Sequence, residues 1–149
     1  MTEREGFEDE GLGRFERNGR DYTTTRTPRR AKPYRVRWEP RDPEHPLASI
    51  EVLREYVVWF EAERRRVHTQ TCERLWSRWQ SWRDSGDARD RRTTLLAFSR
   101  RIRLRSLNVA FDGDDLAVYA SYDDDHLFGR HAIIVGLLGR VPGEPELEG

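Results

Sequence analysis

The chain has 149 residues, with 27 arginines and lysines balanced by 27 aspartates and glutamates, so there is no net charge to steer it toward nucleic acid or a membrane surface. Its length suits one domain, and the 11% aromatic fraction, with five tryptophans, excludes a disordered polymer despite 36% charged residues. A single cysteine, Cys72, rules out a disulfide framework and any cysteine-rich zinc site, and it fits a reducing compartment.

Residues 1–11, opening "MTEREGFEDE", are acidic and lack the apolar stretch of a signal peptide, and they are expected to form a flexible leader. A single domain is expected over 12–149. "LGRF" and "YRVRW" read as strands on either side of the polar segment "DYTTTRTPRRAKP". In the second, Tyr34, Val36 and Trp38 alternate with Arg35 and Arg37. "EPRDPEHP", with three prolines in eight residues, reads as a rigid loop.

Leu47 to Arg83 carries the strongest periodicity. Leu47, Ile50, Leu53, Val57, Phe60, Val67, Leu75, Trp79 and Trp82 follow helical steps, with interruptions near Arg64 and Thr71. The segment predicts one long helix or two collinear helices broken near His68–Thr71, ending through Gly86. A shorter helix is expected over about Thr93–Arg101. The period then changes to two. Residues 103–111 and 116–122 predict an antiparallel hairpin turning at Asp112–Gly113, because Asp-Gly supplies the positive φ such turns need. "HAIIVGLLG" predicts a strand covered on both faces or lying inside the sheet. "RVPGEPELEG" is expected to be a loose terminus with at most a short strand. No apolar run reaches the length of a membrane span. These elements together predict an α+β fold, in which N- and C-terminal strands build a mostly antiparallel sheet against a long central helix and a short one.

"YDDDHLFGRHAIIV" holds the densest chemistry. One reading is a metal-dependent enzyme built on Asp123, Asp124, Asp125, His126 and His131. Adjacent residues of a strand point to opposite faces, however, and an EF-hand would need a distal glutamate that is absent. The favoured reading is a structural connection. In it the aspartates bond to turn amides, Gly129 supplies conformational freedom, Leu127 and Phe128 plug the sheet, and His131 locks the loop.

Three other constellations carry possible chemistry. His68 and Cys72 share a helical face and could form an activated pair, but mid-helix is a poor site, with no oxyanion donors in sight. Arginines cluster in "RRAKPYRVR" and from Arg89 to Arg105. Pairing with the six aspartates of residues 112–125 is expected to neutralise them, which makes nucleic-acid binding the lesser reading. Trp76, Trp79 and Trp82 are spaced by three, the spacing of core packing, and Trp76 off that stripe would mark a partner surface. No phosphate loop, dinucleotide fingerprint or serine-nucleophile motif is present.

The run Asp125-His126-Leu127-Phe128-Gly129-Arg130-His131-Ala132-Ile133 resembles the "D-(L/M)-F-x-G-H-x-I" signature of a family of uncharacterised bacterial domains, with His126 inserted. Gly13-Arg14-Phe15, the Trp-rich helix end and "LAFSRRIRLRSLNV" extend the similarity over roughly 12–149. That family has no established enzymatic activity, and some members resemble immunity or toxin-neutralising proteins. Together with the residue readings above, the resemblance leads to the expectation of a cytoplasmic, non-catalytic protein-binding domain with no cofactor and no metal, whose partner is another protein such as a toxin. The contact candidates are Trp76, Arg101, Arg103, Asp124 and Arg130. Asp125, Leu127, Phe128, Gly129 and His131 form the signature, with a structural role expected.

Overall fold

A computed structural model describes residues 6–85, 93–125, 127, 128, 131–138 and 140–148, the side chains of 82–85 and 138 excepted. The expected end of the long helix at Gly86 lies outside these residues. The fold is α+β. The strands are β1 (Gly6–Asp9), β2 (Gly13–Asn18), β3 (Asp21–Arg26), β4 (Tyr34–Trp38), β5 (Arg103–Asp112), β6 (Asp115–Asp123), β7 (Ala132–Leu138), β8 (Val141–Pro142) and β9 (Glu146–Glu148). The helices are α1 (Ile50–Ser85) and α2 (Leu95–Arg101), both between β4 and β5.

The strands form one nine-stranded sheet ordered β1 through β8, with β9 also on β7. Every pairing is antiparallel except β4 with β5, which are parallel from Arg35↔Ser106 to Trp38↔Val109. Parallel neighbours cannot be joined by a tight turn, so the chain needs a long crossover, and α1 and α2 supply it.

The 36-residue α1 is continuous, roughly 54 Å long at about 1.5 Å per residue. Polar residues near His68–Thr71 do not break it, because Thr71 and Cys72 are themselves buried and keep the apolar stripe running from Val67 to Leu75. The helix begins later than expected. Leu47 is exposed, and Ser49 has φ 64°, a left-handed conformation that stops the helix extending backward. Leu53, Val57, Phe60 and Leu75 on α1 enter one core with Val36 and Trp38 of β4, Leu107 and Val109 of β5, and Val135 of β7.

Two expectations at the ends of the chain need correction. Residues 6–9 are not a loose leader but β1, whose Phe7 stacks on Phe15 of β2 at 4.6 Å. The buried Asp9 carboxylate accepts from the Gly11 and Leu12 amides, at 3.0 and 2.9 Å, and pairs with Arg54 of α1. The Thr-rich part of the polar segment between the two expected strands is itself a strand, β3, because β-branched threonines suit an extended chain between two strands. The C-terminal tail holds two short strands. The Gly143 amide donates to the Gly136 carbonyl (2.8 Å), while Arg74 pairs with Glu144 (3.2 Å) and Arg78 donates to the Pro145 carbonyl.

The predicted hairpin forms, one residue displaced at its turn. Asp112 pairs with Asp115, so the two turn residues are Gly113 and Asp114. Only Gly113 has positive φ (62°), the sign pattern of a type II′ turn. β7 is an inner strand, between β6 on one side and β8 and β9 on the other. Its burial alternates, with Ile133, Val135 and Leu137 facing the core, so it is covered on one face only.

Candidate functional site

The acidic run after β6 makes a turn in which each aspartate has a separate backbone task. Asp123 Oδ1 accepts from the Asp125 amide (3.2 Å), and Asp124 Oδ2 accepts from the Phe128 amide (2.8 Å). The Asp124 carbonyl accepts from Leu127 (3.1 Å). Asp125 takes the left-handed conformation (φ 49°), which aspartate tolerates, and its carboxylate and carbonyl accept from Arg101 at 3.1 and 3.0 Å. Three carboxylates thus diverge, and no group of three or more potential metal ligands exists among the described residues. Leu127 and Phe128 are buried, and Phe128 meets Phe98 of α2 edge-on at 6.3 Å. His131 is half-buried directly before β7, while His126, Gly129 and Arg130 lie outside the described residues.

The His68–Cys72 pair is closed to chemistry. His68 Nε2 stands 2.9 Å from the Ser99 carbonyl, which can only accept, so that nitrogen carries the proton. Cys72 Sγ lies 3.4 Å from the same nitrogen and finds no lone pair there to take its proton. Burial pushes the thiol up to about 12, and burial holds the imidazole below its ordinary value. With the sulfur buried and protonated, no nucleophile is available.

Four of the five contact candidates cannot be assigned to an open surface. Asp124 is 4% exposed and spent on the Phe128 amide, so its carboxylate presents nothing to a partner. Trp76 is half-buried against Trp79 and Phe98, with ring centres at 5.4 and 5.3 Å, and joins α1 to α2 rather than marking a docking patch. Arg101 is tied to Asp125, and Arg130 lies outside the described residues. Arg103 alone stands exposed, and it leads to a feature the sequence reading missed.

Arg103 lines a cleft of about 1570 Å³ bounded by the β3–β4 connection, the middle of α1, α2 and the adjoining ends of β5 and β6. That volume exceeds the roughly 300–1,000 Å³ of a small-molecule site. Among the described residues, eight cations line it, seven arginines and Lys32, against two acids, Glu61 and Asp123. Glu61 is already neutralised: Arg26 grips both its oxygens (2.7 and 3.1 Å) and the Tyr34 hydroxyl donates to it (2.9 Å). Burial raises the Glu61 carboxyl, but the bonds from Arg26 and Tyr34 outweigh it and leave it below the usual carboxylate range. Burial, then Glu61, raises the Tyr34 phenol, which stays protonated as a donor. Arg64 lies over the Tyr34 ring at 5.0 Å, held at the cleft wall by cation–π attraction.

The expected neutralisation of the arginines by the aspartates of 112–125 is therefore partial. Arg101 pairs with Asp125, but Arg100, Arg103 and Arg105 form no ion pair among the described residues. Asp112, Asp114 and Asp115 sit at the far end of the hairpin, about 30 Å along β5 at roughly 3.3 Å per residue, where Arg41 reaches Asp114 (3.5 Å). Among the described residues, cations thus gather at the cleft, while Asp112, Asp114 and Asp115 gather at the hairpin turn. Periodicity could not find the cleft, because its cations come from segments distant in sequence. The nearest signal was the pair of Arg clusters around 30 and 100.

No protein-family model, curated protein or solved structure matches this chain. No helix among the described residues is long and apolar enough to cross a membrane.

Proposed function

We propose that the chain is a non-catalytic, cytoplasmic protein-binding domain whose partner presents an acidic surface to the basic cleft. The observation that carries this reading is the imbalance of eight cations to two acids in a cleft too large for an ordinary metabolite. Guanidinium groups stay charged at all physiological pH values and match carboxylates as planar forks. The acidic hairpin end would repel a nucleic acid laid along the sheet, and the aromatic rings at the cleft, Tyr34 and Tyr122, are buried and offer no stacking platform for bases. Neutralisation of a toxin is the form of binding the family resemblance implies.

The test is affinity purification of the tagged full chain from its host after mild cross-linking. One protein retained in stoichiometric amount, released by Arg65→Glu or Arg103→Glu and by rising salt, supports the reading. Retention of nucleic acid alone, or of a protein indifferent to both substitutions, overturns it. For the toxin-neutralising form, co-expression with the toxic product of a neighbouring gene should restore growth.

A further inference from the structure

Within the cleft, β4 and β5 separate like a fork. Their pairing starts at Arg35↔Ser106, which sets Tyr34, the first residue of β4, opposite Arg105, so Arg103 and Leu104 extend past the beginning of β4. On their other side they are paired, Arg103 with Asp123 and Leu104 with Tyr122 of β6, and a bulge between Leu104 and Ser106 twists the strand. Nothing among the described residues pairs with the β4-facing edge. Pro33, directly before β4, has no N–H and cannot continue the ladder, and no backbone hydrogen bond joins residues 27–33 to 103–105 among the described residues. Both prongs line the cleft, residues 32–35 on one side and 103–106 on the other.

An unpaired strand edge presents alternating N–H and C=O groups, the pattern that an extended peptide matches and a sugar-phosphate chain does not. Here the edge is framed by Arg35, Arg103 and Arg105, with Arg64 and Arg65 on the α1 wall and Lys32 on the loop. Resting on the protein-binding reading above, we propose that this fork receives an extended acidic segment of the partner as an added strand along Arg103 and Leu104. Backbone bonds would set its register, and its carboxylates would meet the guanidiniums. Two residues of edge span about 7 Å, so the recognised core is a short segment of two or three residues.

The probe is a fluorescein-labelled eight-residue peptide of alternating Glu and Thr, titrated by anisotropy against the full chain. It is compared with the same peptide N-methylated at alternate residues, with its Gln-for-Glu form, and with an oligo-dT of equal charge. The acidic peptide should bind, and N-methylation and Gln replacement should each weaken it at least tenfold. Arg103→Glu and Arg105→Glu should do the same, while Arg41→Glu at the opposite end leaves binding unchanged. Equal binding of the N-methylated peptide, tighter binding of oligo-dT, or no binding of the acidic peptide overturns the proposal. The peptide series decides even where a charge reversal unfolds the chain. If the host partner is retained but the acidic peptide is not bound, strand addition fails alone. If no protein partner is retained, the reading beneath it fails.

Discussion

The Phe128 amide donates to Asp124 Oδ2 across 2.8 Å, and both residues are buried, so one carboxylate closes the turn that seats an aromatic ring in the core. Asp124 thereby latches Phe128 in place just beyond the end of β6.

Asp124→Ala should leave the Phe128 amide buried without its acceptor, at a cost of about 1–3 kcal/mol. Asp124→Asn retains an accepting oxygen and should cost less than the alanine change. Urea unfolding of the two variants measures the order. Equal losses would show that the carboxylate charge, not the bond to Phe128, holds the turn.

Phe128 is fully buried and meets Phe98 edge-on, so Phe128→Ala should cost about 3–5 kcal/mol through lost burial and a residual cavity. For a domain of this size the total is about 5–15 kcal/mol, so the variant should melt many degrees lower. A melting temperature equal to the parent's would refute this role for Phe128. Arg101→Ala removes a part-exposed ion pair to Asp125 and a bond to its carbonyl, and should cost less than Phe128→Ala, about 1 kcal/mol.

Cys72 should be inert. A thiol that is 1% exposed, with its pKa pushed up to about 12 by burial, contains almost no thiolate at pH 8. Ellman's reagent should label it only in denaturant. Rapid labelling of the native chain would mean that α1 opens locally near Val67–Leu75.

The half-buried His68 gives stability a pH dependence of known sign. Burial lowers its folded-state pKa below the ordinary 6.5, so the unfolded chain binds the proton more readily. Its contribution is fully present above about pH 6.5 and is lost as pH falls below that value. Aspartates and glutamates with depressed pKa values, such as Asp9 and Glu61, act lower, where pH falls through the carboxylate range. Unfolding free energies from pH 7.5 to 5 should decline for the parent chain, and His68→Gln should flatten that slope. An unchanged slope in the variant would assign the effect elsewhere.

Local rules wrote much of this fold into the sequence. The alternation of Tyr34, Val36 and Trp38, the apolar stripe of α1, and the Gly113 turn each depend on neighbours within a few residues, so their periods reveal them. The same locality explains the misses. β1 and β3 lack apolar alternation because their polar residues are satisfied by strand neighbours and by Arg54 and Glu61 of the distant α1. Charge counting misled at the site for a related reason. Formal neutrality says nothing of where charges go, and only the parallel β4–β5 crossover brings the arginines near 30, 65 and 103 to one cleft while Asp112, Asp114 and Asp115 lie at the far turn of the hairpin. The sequence by itself determined which residues turn inward, because burial follows short periods. Tertiary structure alone decided which cations converge, because electrostatic potential depends on distances that no spacing along the chain specifies.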